Sequence, residues 1–219
     1  MGPILGGFKK ASFAAADYAM TSDGNSIMAV GISAIIAQLQ ALAPVSNQIT
    51  ISNFAISGQT VIGMTNAASD VDNSFVVGKI NYLLVWEISN NVFNIGRSGL
   101  QTCSDLVTYI AARKALHPWR VILMTAIPRG DFFNGFYTAV DGEVELQAAN
   151  NYIRANWRDM GAVAMVEARR AGGPFDFNDS TNAANFPSSL WGDRTHPNSA
   201  GTAILAQYIA DVLKRLPAR

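Results

Sequence analysis

Apolar residues fall into two patterns that alternate along the whole chain. Short, nearly unbroken apolar runs such as YLLVWEI at 82–88 and RVILMTAI at 120–127 have the length and composition of strands covered on both faces. Between such runs lie longer stretches whose apolar positions recur three and four apart, the spacing of one helix face. The pattern predicts strands at 17–21, 48–54, 82–88, 120–127 and 162–166, and helices at 26–42, about 64–78, 98–116, 142–158 and 199–216. The first strand is assigned mainly from the turn and helix next to it, since ADYAM lacks β-branched residues.

Strand and helix in regular alternation predict an α/β fold with a five-stranded, mostly parallel sheet. No repeat, low-complexity tract or linker interrupts it, so residues 1–219 read as one domain, with 1–13 expected as an irregular extension. Two connections, 128–141 and 171–195, exceed the ~2 to 6 residues usual in such folds. Both come after carboxyl ends of strands, the edge where open α/β sheets bind ligands. Tolerated surface insertions would have the same length.

Composition narrows the function classes. With 49% hydrophobic and only 15% charged residues, the chain has ample apolar material for a core and does not read as disordered. Its 16 basic and 16 acidic residues balance without a Lys/Arg cluster, so neither nucleic acid nor an anionic bilayer is an expected partner. No apolar run approaches the ~20 residues of a membrane-spanning helix. Residues 1–13 carry two lysines but no continuous apolar segment or cleavage site, so a signal peptide is expected to be absent or already removed. Cys103, the single cysteine, excludes an internal disulfide, and only His117 and His196 are available as imidazole ligands, so no metal is expected. Oligomeric state is left open, and a secreted or extracellular setting is favoured over a cytoplasmic one.

Candidate chemistry collects at four places. In Thr21-Ser22-Asp23-Gly24-Asn25-Ser26, Gly24 permits a sharp turn and Ser26 opens a helix. A serine there can attack a carbonyl while its own amide helps hold the oxyanion, although Ser is equally an ordinary N-cap. Gly58, in Ile56-Ser57-Gly58-Gln59-Thr60 after the second strand, offers a bare backbone amide or simply a turn. In Glu87-Ile88-Ser89-Asn90-Asn91, an amide side chain just past a central strand can donate into the crevice or make a local turn. In Asp193-Arg194-Thr195-His196-Pro197, a carboxylate three residues before an imidazole can orient it as a base, and the same residues also fit a capping role. His117 lies between a helix end and the fourth strand, at the opposite edge, and reads as a helix-end or turn residue.

These four places, in this order, resemble the blocks of the SGNH hydrolase superfamily, the GDSL-type esterases, and the resemblance spans nearly the whole chain. It implies a three-layer α/β/α, flavodoxin-like fold and metal-free hydrolysis of carboxylic esters. It implies Ser26 as nucleophile, His196 as base oriented by Asp193, and an oxyanion hole of the Ser26 and Gly58 amides with the Asn90 side chain. The chain departs from the pattern at Asn25, where Asp is usual, and at Ile88 and Asn91, where Gly and Asp are usual. Asn, Ser, Gly and Asp interleaved with the aromatics of the two long loops favour short acyl groups, acetyl first, and the lack of a basic patch favours a small molecule or a neutral carbohydrate as the rest of the substrate, without a cofactor. Acyl transfer would use the same residues. Two other readings are an FMN-phosphate cradle at the first turn, as in flavodoxins, and a silent sugar-binding module. Phe132, Phe133, Phe136, Tyr137, Phe186 and Trp191 are candidates for the rim of the crevice, with core burial as the competing assignment.

Overall fold

A computed structural model describes residues 18–42, 50–130 and 136–216. Residues 1–13 and the candidate rim residues Phe132 and Phe133 lie outside the described residues. The strands are β1 (Tyr18–Gly24), β2 (Thr50–Asn53), β3 (Ile80–Trp86), β4 (Arg120–Met124) and β5 (Ala162–Val166). The helices are α1 (Ser26–Leu42), α2 (Val61–Asn66), α3 (Ala68–Asn73), α4 (Ser89–Ile95), α5 (Gly99–Leu116), α6 (Ala139–Asn156) and α7 (Ser199–Leu213). All pairings are parallel, in the order β2-β1-β3-β4-β5.

The continuous apolar runs are explained by what covers them. Along β3, Tyr82, Leu84 and Trp86 pack in one core with α1 and α7, while Leu83 and Val85 pack in the other with α2, α3, α5 and α6. Successive side chains point to opposite faces, so a strand covered twice is apolar along most of its length, on both faces. Each such fully buried aliphatic side chain contributes about 1.5–3 kcal/mol. The result is a three-layer sandwich with the flavodoxin-like strand order, as expected. The order reverses at β1, so the edge beyond the carboxyl ends of β1 and β3 is the topological switch point where such sheets hold ligands.

Helices α1 and α5 closely match the periodicity, and Ser98 caps α5 in a reciprocal capping box with Gln101. Three predictions need correction. β1 runs past the expected end at Thr21 through Ser22 and Asp23, which read as a turn because they are polar. They are buried in the strand because Asn53 and Tyr109 supply their hydrogen bonds. The helix expected at about 64–78 is two short helices, beginning earlier at the Thr60 cap and broken at Ala67. Asn90 and Asn91 lie in α4, a two-turn helix too short for its periodicity to register, rather than in a turn.

The long 171–195 connection is anchored. Arg169 reaches the buried Glu143 of α6 and the Phe177 carbonyl, Ser180 donates to Glu143 at 2.9 Å, and Arg194 donates to the Ser180 and Thr181 carbonyls. Among the described residues, no helix is long and apolar enough to cross a membrane.

Candidate active site

The turn after β1 brings the first candidate to the edge of the sheet. β1 and β3 run side by side as far as Gly24 and Trp86, and a Cβ on Gly24 would lie 2.3 Å from the Trp86 carbonyl oxygen. Only glycine fits there, and the chain turns directly into α1 with Ser26 as its first residue. Ser26 is buried apart from a 9% exposed remnant, yet it lines an open cleft of 250 Å³. Asp23 faces away: it accepts from the Gly24 amide and, at 2.6 Å, from the Tyr109 hydroxyl. Burial pushes its carboxyl up to about 6 against the pull of those hydrogen bonds and of Arg113.

His196 meets Ser26 across a sequence separation of 170 residues, with Nε2 2.8 Å from Ser26 Oγ. Its Nδ1 lies 2.9 Å from Asp193 Oδ2. The three-residue spacing works because Asp193 Oδ1 also accepts the amides of Thr195 and His196, so the carboxylate folds back on its own turn. A bridge between Trp191 and Pro197, with the Gly192 amide on the His196 carbonyl at 2.9 Å, closes this turn at its base. Partial burial alone would raise the Asp193 carboxyl, but bonds from the His196 ring and the two amides hold it below the ordinary carboxylate value. With Nδ1–H donating to that carboxylate, Nε2 is left to accept the Ser26 proton.

Gly58, Asn90 and Arg129 share the cleft, together with Ser57, Asn94 and Thr195. Gly58 is exposed at φ +76°, in a turn closed by the Gln59 amide on the Ile56 carbonyl, a conformation glycine adopts freely. Asn90 Nδ2 donates to the Gln59 carbonyl at 2.9 Å, which ties the two candidate oxyanion donors to one another. Asn91 points elsewhere: its side chain accepts from the Val61 amide and donates to Asp105. Ile88 sits at φ −140°, so α4 begins without the positive φ that a β-branched residue resists.

Two residues at this site carry no signal in the sequence. Glu87, a lone acid in an apolar run, is fully buried and accepts Asn25 Nδ2 at 2.7 Å and the Asn91 amide at 2.8 Å. Burial pushes its carboxyl up to about 8, against the pull of Asn25, of the Asn91 and Asn90 amides, and of the Arg129 charge. Arg129, just past β4, donates to Ser89 Oγ at 3.0 Å and Asn90 Oδ1 at 3.1 Å and stacks over Phe93. Its grip on Oδ1 fixes which end of the Asn90 amide faces the Gln59 carbonyl and the cleft. A charged residue in the long connection after β4 is the only available hint.

Among the described residues, the aromatic candidates do not gather at the cleft. Trp191 is 3% exposed and packs edge-on against Phe175 and Phe186 in the α1/α7 core, which corrects its assignment to the rim. Phe136 is exposed, but it and Tyr137 lie against Gly96 at the end of α4. His117 ends α5 and stacks on Phe75, away from Ser26. Cys103 is buried, which pushes its thiol up to about 12 and leaves it protonated and unreactive. Among the described residues, no three His, Cys, Asp or Glu side chains gather to hold a metal. A larger groove of 670 Å³ lies between α6 and residues 178–181 and contains none of these groups.

No protein-family model matches the chain, and no curated protein sequence does. Solved structures do. The chain is similar to a lipolytic protein of the G-D-S-L family from Veillonella parvula, with TM-score 0.66 and 15% identity over 91% of this chain and 100% of the other. It is similar to a GDSL-like lipase from Bacteroides thetaiotaomicron, with TM-score 0.66 and 17% identity over 88% and 86%. An acetyl xylan esterase matches with TM-score 0.65 and 16% identity over 88% and 98%. The shared property is the fold, and it extends over nearly the whole of each chain.

Proposed function

We propose that the chain is a serine carboxylic ester hydrolase of the SGNH type. The observation that carries this reading is the continuous relay from Ser26 Oγ to His196 Nε2 at 2.8 Å and from His196 Nδ1 to Asp193 Oδ2 at 2.9 Å, opening on a cleft that also holds Gly58 and Asn90. The esterases among the structures that share its fold support it. An FMN-phosphate cradle at the same turn makes no use of the His196–Asp193 pair.

In this mechanism His196 Nε2 takes the Ser26 proton as Oγ attacks the ester carbonyl carbon, and the carbonyl electron pair moves onto oxygen. The oxyanion is held by the amides of Ser26 and Gly58 and by Asn90 Nδ2, while Asp193 stabilises the imidazolium. Collapse of the intermediate expels the alcohol, which takes the proton from His196. Water, activated by the same imidazole, then frees the acid and regenerates Ser26. A second alcohol in place of water would give acyl transfer.

The cleft is lined by Ser, Gly, Asn, Arg, Thr and His residues, with no aliphatic channel for a long acyl tail among the described residues. Short acyl groups, acetyl first, on a hydroxyl-rich leaving group such as a neutral carbohydrate suit such walls. The test compares kcat/KM on nitrophenyl acetate, butyrate and octanoate, with Ser26→Ala as control. Acetate should be preferred, Ser26→Ala should be inactive, and chelators should leave the rate unchanged. Activity surviving in Ser26→Ala would overturn the mechanism, and a preference for octanoate would overturn the short-acyl assignment. Release of acetate from acetylated glycans is the direct assay of the carbohydrate half.

A further inference from the structure

Asn25 precedes the serine, and its amide has no freedom to turn. Its Oδ1 accepts the Ile27 amide at 3.0 Å, which aims Nδ2 at Glu87 Oε2, 2.7 Å away and buried. The other Glu87 oxygen accepts the Asn91 amide in the first turn of α4 at 2.8 Å. One carboxylate therefore joins the turn that carries Ser26 to the helix that carries Asn90. The SGNH pattern has Asp where Asn25 stands. In this chain, an Asp at 25 would set two carboxylates against each other at hydrogen-bond distance with no donor between them once both are ionised.

We infer that Asn25 and Glu87 are a matched donor–acceptor pair that positions the nucleophile turn against the oxyanion helix, and that the departure at Asn25 is coupled to Glu87. This rests on the esterase reading. Neither side chain touches the reacting atoms; both act through Ser26 and Asn90, whose separation they set. A displacement on the order of 1 Å at such a distance from the chemistry can cost ~10²-fold in rate.

The pair can be inverted. In the double variant N25D/E87Q, the amide introduced at position 87 donates its Nε2–H to the carboxylate introduced at position 25. The Oε1 of the new amide still accepts the Asn91 N–H, and the second oxygen of the new carboxylate keeps the Ile27 N–H. Every hydrogen bond between the two side chains and to these amides is restored with donor and acceptor exchanged. Measured above about pH 8, where Glu87 is ionised in the fold, Asn25→Asp alone, although it restores the usual family residue, should lower kcat by about tenfold or more with little change in KM, and Glu87→Gln alone should do likewise. The double variant should return to within about threefold of the parent and recover the melting temperature lost in the singles.

An Asn25→Asp variant as active and as stable as the parent would overturn the inference, as would a double variant whose losses multiply those of the singles. The esterase reading fails separately, if the parent hydrolyses no ester or Ser26→Ala keeps its activity. The pair is then still judged by unfolding: recovery of melting temperature in the double variant supports it, and additive losses overturn it.

Discussion

The two halves of the site are built differently. Ser26 and Asn90 open the helices that follow adjacent central strands, are 9% and 5% exposed, and are held by buried partners from four segments of the chain. The side chains of His196 and Asp193 are 35% and 52% exposed, and the bonds that fold the Asp193 carboxylate onto His196 come from their own turn, which Arg194 ties at its outer side to Gly130, Ser180 and Thr181. Stability and activity should therefore be coupled in the inner half and separable in the outer half. An orienting carboxylate at the solvent edge stabilises the imidazolium at little desolvation cost, whereas the buried Glu87 requires several donors to be tolerated there at all.

The strongest break of this comparison is removal of the relay itself. Ser26→Ala and His196→Ala should each lower kcat by roughly 10⁴-fold or more, and the double variant should be hardly worse than either, because the groups act as a unit. Asp193→Ala should cost less, since orientation and charge stabilisation are only part of what the base does. In the outer-half variants the melting temperature should stay close to that of the parent. Steady-state kinetics and calorimetry together check this. Additive losses for Ser26 and His196 would mean that they do not share one step.

Removing single amides separates the inner half further. Asn90→Ala should lower kcat by about 10²–10³-fold, the scale of a lost oxyanion donor, mostly without change in KM. Asn91→Ala should instead cost stability, about 1–3 kcal/mol, because it orphans the buried Val61 amide and the Asp105 partner. Urea unfolding and kcat measured on both variants check this. A crippled Asn91→Ala beside a mild Asn90→Ala would shift the oxyanion donor by one residue.

The sheet, its flanking helices and the relay are legible in the sequence because each has a local signature. Doubly covered strands leave long apolar runs, Ser26 comes after an obligatory glycine, and Asp193 and His196 lie on one turn. The linkage inside the inner half is not legible in the same way. Glu87 and Arg129 acquire their roles from partners 62 and 39–40 positions away, and nothing beside them in sequence distinguishes them from a strand-end acid and a loop cation. Ser22 and Asp23 read as turn for the same reason, since their burial in the strand depends on the distant Asn53 and Tyr109. Proximity to Asp193 misplaces Trp191: sequence distance puts it at the rim, while the Pro197 bridge turns it inward against Phe175 and Phe186.

The last contrast lies in how pH acts on the two halves, and the signs are opposite. Glu87 is pushed up to about 8, and Asp23, beside the nucleophile turn, to about 6. A carboxyl raised in the fold contributes stability that is fully present below its unfolded value and is lost as pH rises through the folded one. The inner half should therefore weaken from about pH 4.5 towards 8. Asp193 is held below its ordinary value, so its contribution is present at neutral pH and is lost only as pH falls through that lowered value. Melting temperature should decline from about pH 4.5 to about pH 8 in the parent and level off above it. In Glu87→Gln the starting value should be lower but the decline much flatter, because the group that must ionise inside the fold is gone. Asp193→Asn should leave the alkaline decline in place and change only the acid limb. If Glu87→Gln kept the full alkaline decline, the loss would originate elsewhere, and the contrast between a buried inner half and a solvent-facing outer half would no longer account for the protein's response to pH.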